Sequence, residues 1–189
     1  MIRVFVGIRI APDVTQGICA AQAELGQQLK GIRWVKQDSL HLTLKFLGEI
    51  AEERVAAVVD ALERATQGRE RFVFGCGGLG VFPDIRRARV LWVGLEGKRL
   101  VPLATAVDDK LAAAGFPRER REFKPHLTIG RWREFDGRID LLRRQLEQWK
   151  DHDFGSSAVN EVIFFSSALK PDGAVYTPLG TFPLGGNAN

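Results

Sequence analysis

Two of the chain's three histidines stand in the same phrase. The stretch "SLHLTLKF" (39–46) carries His41 with Thr43 two positions on, and "KPHLTIGR" (124–131) carries His126 with Thr128. With 7 threonines in 189 residues, two of three histidines gaining a threonine at +2 by chance has odds of roughly 0.004. One such phrase would read as strand surface; two ask for a shared chemistry. In an extended strand, residues i and i+2 point to one side. His41, Thr43 and Lys45 are therefore expected on one face, with Leu40, Leu42, Leu44 and Phe46 on the core face. His126 and Thr128 share a face in the same way, above buried Leu127 and Ile129.

Two imidazoles and two hydroxyls directed at one anion fit phosphoryl chemistry. Imidazole titrates near pH 6.5, so one neutral and one protonated ring are expected together at neutral pH. The neutral ring takes a proton from water attacking phosphorus, and the charged ring gives one to the departing ribose oxygen. Each contribution is typically about 10²- to 10⁴-fold. Threonine hydroxyls and a cation hold the non-bridging oxygens. No metal and no cofactor is called for, and no clustered Asp/Glu spacing suggests a metal site.

The elements that must position these residues occur twice. "IRVFVGIR" alternates as a strand, and residues 12–30 carry Val14, Ile18, Ala21, Leu25 and Leu29 at helical spacing, with Pro12 at the start and Gly31 as a stop. The first His-Leu-Thr strand (40–47), a helix at 51–67 and a strand at 71–79 follow. The second half repeats the order: a strand in "ARVLWVGLEG", a helix from Leu100 to about Gly115, the second His-Leu-Thr strand (125–130), a helix from Ile139 to Trp149 and a strand in "NEVIFFSSALK". Gly7 precedes His41 by 34 residues and Gly94 precedes His126 by 32. We read half-repeats at 1–80 and 88–169 within one domain spanning 1–189, an α+β fold of two lobes.

Bulk properties agree. A chain that is 45% hydrophobic can bury a core. The net charge of +4 is a mild basic bias that suits a polyanion. Cys19 and Cys76 form no CxxC pair, which fits a reducing, cytoplasmic location. No run approaches a membrane span, and the closing "GGNAN" reads as a frayed end.

The stretches "RWVKQDSLHLTLKFLGEI" and "FKPHLTIGR" resemble the paired signatures of the two-histidine (2H) phosphoesterases, closest to the RNA 2′,3′-cyclic phosphodiesterases historically called 2′-5′ RNA ligases. The likeness extends through "LGVFPDIRRARVLWVGL" and "NEVIFFSSALKPDGAVYTPL". It implies two pseudo-symmetric lobes, each with an antiparallel-rich sheet and two helices, flanking a basic cleft. It also implies opening of a terminal RNA 2′,3′-cyclic phosphate to a 2′-phosphate without a metal; the chain is expected to be a monomer. By resemblance alone, His41 is the proton donor and His126 the acceptor, Thr43 and Thr128 bind phosphate, and Arg131 contacts it. Joining RNA ends through a 2′-5′ bond without ATP, another cyclic or 2′-5′-linked nucleotide, and a non-catalytic RNA-binding module are the competing readings.

Other features carry less. Lys45 is a candidate RNA contact through its place beside His41, and "RRAR" (86–89) and "RERR" (118–121) are candidate cleft rims. Trp34, Phe46, Trp92 and Trp132 are the candidate base-stacking rings, of which Phe46 falls on the Leu face and is assigned to the core. "GCGGLG" (75–80) is followed by Pro83 instead of a helix and reads as a glycine-rich bend. His152 reads as a solvated helix end.

Overall fold

The computed structural model describes residues 1–170 and 173–185; of the closing "GGNAN" expected to fray, 186–189 lie outside them, while the Gly185 amide donates to the Arg69 carbonyl at 2.6 Å. The chain order is β1 (Ile2–Arg9), α1 (Pro12–Gln28), β2 (Ile32–Trp34), β3 (His41–Ile50), α2 (Val55–Thr66), β4 (Phe72–Phe82), β5 (Val90–Glu96), α3 (Leu100–Ala113), β6 (His126–Trp132), α4 (Ile139–Gln148), β7 (Asp153–Val159), β8 (Glu161–Lys170) and β9 (Gly173–Pro183). Two antiparallel sheets form, in the orders β3-β1-β8-β9 and β2-β6-β5-β4-β7.

The sheets exchange strands between the two ends of the chain. β4, early in sequence, lies inside the second sheet, and β8, late in sequence, lies inside the first. α2 and α3 pack on each other and on β3, β8 and β9, while α1 packs on β7 and α4 on β4. Apolar side chains from both sheets and all four helices join one core, including Val6, Leu42, Leu62, Leu103, Leu127 and Phe164. Fully burying one such side chain is worth roughly 1.5–3 kcal/mol, so the interlocked core holds the lobes in a fixed relation. β3 and β6 are the strands that approach each other across it, with Cα atoms within 8 Å.

Three strands were not legible in the sequence: β2, β7 and β9. All three are edge strands. An edge strand pairs on one side only, so it tolerates the Pro178 and Gly180 of β9 and the Gly-Ser-Ser run of β7 that read as turns. The glycines of "GCGGLG" lie within β4, where a register shift between Gly77 and Leu79 puts Gly78 at φ 63°. A Cβ there would sit 2.8 Å from the carbonyl oxygen of Lys150, which requires glycine.

Candidate active site

Each histidine opens its strand, and each ring is fixed by a backbone carbonyl two residues earlier. His41 follows a 3₁₀ turn at Gln37–Ser39, and its Nδ1 lies 2.8 Å from the Ser39 oxygen. His126 follows Lys124 and Pro125, and its Nδ1 lies 2.7 Å from the Lys124 oxygen. Pro125 keeps Lys124 extended, which aims that carbonyl at the ring. A carbonyl only accepts, so Nδ1 carries the hydrogen in both rings, and each neutral imidazole presents the lone pair of Nε2.

Both rings line one cleft of about 1080 Å³, together with Thr43, Thr128, Arg131 and Tyr176. The Thr43 hydroxyl lies 2.9 Å from His41 Nε2 and donates to it in the neutral state. Thr43 therefore belongs to the ring's own hydrogen bonding, beyond the anion-binding place expected of it. Phe5 lies against His41 at 4.6 Å and Tyr176 meets it edge-on at 4.9 Å, whereas Phe82 meets His126 edge-on at 4.9 Å.

Strict alternation fails at the same point in both strands. Val6 pairs with Lys45 and Gly7 with Thr43, so Leu44 is an unpaired bulge residue. Leu91 pairs with Gly130 and Trp92 with Thr128, so Ile129 bulges equally. Each bulge sits three residues after its histidine and flips the residues beyond it. Arg131, which alternation alone would turn to the other side, is thereby exposed on the cleft face. The Ile129 carbonyl accepts from the buried Gln22 Nε2 and from the Val35 amide, each at 2.9 Å. Gln22, which sequence reasoning missed, thus braces the bulge that delivers Arg131. A polar residue among the apolar positions of α1 was the available signal.

The matching bulge overturns two expectations. Lys45 does not share the His41 face: it is buried, its ammonium bonded to the Asp108 carboxylate and, at 2.7 Å, to the Pro117 carbonyl. Its side chain is only 4% exposed, so the candidate RNA contact is replaced by an internal ion pair. Phe46, assigned to the core, is instead an exposed ring lining the cleft. The tryptophans reverse in the same way. Trp132 is buried, Trp34 lies over Gly26 and Gly130, and Trp92 lies against Phe82 and Gly80.

The strand register also refines the repeat. Arg9 pairs with His41 and Gly94 with His126. The equivalent positions are thus Arg9 and Gly94, each 32 residues ahead of its histidine. Of the two basic clusters, Arg89 and Arg121 reach the cleft, while Arg87 pairs with Asp84 and Arg118 with Asp109. His152 lies outside the cleft between Trp149 and Phe154.

Burial, with Arg131 adding to it, pulls His41 from the ordinary 6.5 to about 4, against the opposing pull of the Ser39 carbonyl. Burial likewise lowers His126, again with Arg131 in the same direction and the Lys124 carbonyl opposing. One guanidinium thus acts on both rings. The expectation of one protonated ring at neutral pH does not hold for the free cleft, where both are neutral. Among the described residues, no three His, Cys, Asp or Glu side chains gather into a metal-binding group, and no helix is long and apolar enough to cross a membrane.

Comparison with known proteins follows the same two halves. A family model described as LigT like Phosphoesterase matches residues 8–92 and again 93–176. The chain is 34% identical over 189 residues to a protein of Aquifex aeolicus named RNA 2′,3′-cyclic phosphodiesterase, covering 98% of this chain and 99% of that one. A protein of the same name from Methanocaldococcus jannaschii is 33% identical over 174 residues, covering 92% and 96%. The crystal structure of E. coli LigT complexed with 3′-AMP superposes with a TM-score of 0.78 at 27% identity, covering 98% and 99%.

Proposed function

Because the chain belongs to the LigT-like phosphoesterase family, we propose that it hydrolyses RNA 2′,3′-cyclic phosphate ends to 2′-phosphates by a two-histidine mechanism that needs no metal. The observation that carries the reading is the pair of Nε2 atoms, each fixed by a carbonyl on Nδ1, on the walls of one cleft with Arg131 acting on both. One chain supplies both rings, which supports a monomer as the working unit.

In the proposed step, His126 Nε2 takes a proton from water as the water oxygen bonds to phosphorus. The P–O3′ bond breaks in line, and His41 gives its proton to O3′. The product carries a free 3′-hydroxyl and a 2′-phosphate. Arg131 and Thr128 offset the charge on the non-bridging oxygens. Afterwards His126 holds the proton and His41 lacks it, so exchange with solvent resets the pair. Incubation of a cyclic-phosphate-ended oligonucleotide in EDTA is expected to yield only the 2′-phosphate, at the rate seen without chelator. A 3′-phosphate product, or loss of turnover in EDTA, would overturn the reading.

The lowered pKa values fix the direction of the pH dependence. The working form of the pair carries one proton, and its population peaks between the pair's two macroscopic pKa values. His41 is at about 4 and His126 is below 6.5 in the free protein. The ratio kcat/KM, which reports the free enzyme, is therefore expected to peak below pH 6.5 and fall about tenfold per unit well above it. The bound phosphate favours imidazolium, so kcat holds to higher pH than kcat/KM. A kcat/KM profile still rising at pH 8 contradicts this account.

A further inference from the structure

We propose that Gln22, on α1, is a positioning residue for the reaction: its side-chain amide holds together the two backbone segments that present His41 and Arg131 to the phosphate. The inference rests on the roles proposed above for those two residues. Gln22 is 7% exposed, and it and Thr15 are the polar members of the buried face of α1. Its Nε2 donates to the Val35 carbonyl and to the Ile129 carbonyl, each at 2.9 Å. Only an NH2 group can serve two carbonyls at once, which fixes the orientation of the amide.

Each carbonyl leads to a different working group. Val35 lines the cleft and enters the 3₁₀ turn at Gln37–Ser39, whose Ser39 carbonyl fixes the His41 ring. Thr15 grips that same turn, its hydroxyl accepting from Gln37 Nε2 at 3.2 Å. Ile129 is the bulge residue, two positions before Arg131. If a bulge residue is drawn back into the ladder, every following side chain changes face, and Arg131 leaves the cleft. The matching bulge at Leu44 is followed by Lys45, whose ammonium is held by Asp108. On β6 the following residue is Gly130, where a Cβ would lie 2.6 Å from Ile32 Cγ2. No side chain can anchor the chain there, and the brace comes from α1 instead.

Ring titration reads the position of Arg131 without turnover. Arg131 is the charged group that lowers both imidazoles. The other ionisable groups lining the cleft, Arg89, Glu119, Arg121, Glu122, Lys124 and Tyr176, lie before the bulge or on other elements. The imidazole protons are followed by NMR across pH in the native protein, Gln22→Met, Arg131→Ala and the double variant. Methionine keeps the length of glutamine and removes the donor. Gln22→Met is expected to move His41 and His126 to higher pH, as Arg131→Ala does, and to leave His152 in place. Its kcat/KM is expected to fall about 10- to 10³-fold, no further than that of Arg131→Ala. The double variant is expected to match Arg131→Ala within about twofold. Ile18→Val loosens the same helix face without touching either carbonyl and is expected to keep native ring titrations and kcat/KM. Gln22→Asn, with its amide one carbon short of both carbonyls, is expected to behave as Gln22→Met and carries the test if that variant does not fold. The proposal is overturned if the Gln22 variants leave both rings titrating as in the native protein, if their loss multiplies with that of Arg131→Ala, or if Ile18→Val moves the rings equally. A native protein without turnover, in which Gln22→Met still moves both rings, sinks the catalytic reading and leaves the brace standing.

Discussion

His41→Ala and His126→Ala are each expected to lower kcat/KM on a cyclic-phosphate-ended oligonucleotide by about 10²- to 10⁴-fold, and the double variant to lose little beyond the weaker single. Non-additivity follows because both rings serve one proton path through one phosphorus atom. The two rings are separated by the leaving group. A nitrophenyl ester departs as a stable anion and needs no proton, so His41→Ala is expected to recover on such a diester. His126→Ala is not, since water still has to lose a proton. Melting of each variant close to the native midpoint guards against a folding artefact, because both rings stand at the cleft and not in the core. Native-like activity in either variant would remove the two-histidine mechanism altogether.

Lys45→Ala is expected to destabilise the fold by about 1–3 kcal/mol, the usual cost of leaving a part-buried polar group without its partner. For a chain of this length that lowers the midpoint by roughly 2–4 °C for each kcal/mol. Lys45 is 4% exposed and Asp108 18%, so water reaches the carboxylate only in part. Burial by itself raises the Asp108 carboxyl, yet Lys45, the Glu119 amide and Arg118 outweigh it and hold it below the usual range. That carboxyl gains stability from its partners above the unfolded pKa and loses it as pH falls. Removing Lys45 takes away the larger part of that gain and leaves the share from the Glu119 amide and Arg118. Replacing both partners by apolar residues, as in Lys45→Met with Asp108→Leu, is expected to restore most of the midpoint. The pair also ties β3 to the chain segment at Pro117 and Glu119 that leads to Lys124 and His126. A Lys45→Ala protein that melts normally but binds RNA weakly would return Lys45 to the surface role first expected of it.

Local pattern in the chain carried much of this protein. The repeated His-x-Thr phrase was visible because two residues of fixed type at a strand's period share a face wherever the strand is placed. Strand patterns located β1, β3, β4, β5, β6 and β8, and helical spacing located all four helices. Leu42, Leu127 and Ile129 are fully buried as that alternation requires. The edge strands escaped because one-sided pairing relaxes the composition that marks a strand.

What the tertiary structure alone decided lies beyond the bulges. A single unpaired residue reverses every following side chain, and nothing local in "LTLKF" or "LTIGR" marks Leu44 or Ile129 as that residue. The bulges arise from pairing partners more than thirty residues away, and Gln22 braces one of them from a distant helix. Lys45 therefore went inward to Asp108, while Phe46 and Arg131 turned to the cleft. The protonation of the histidines was decided in the same way. The residue type sets an ordinary pKa, but burial between two lobes and a guanidinium facing both rings exist only once the chain has folded.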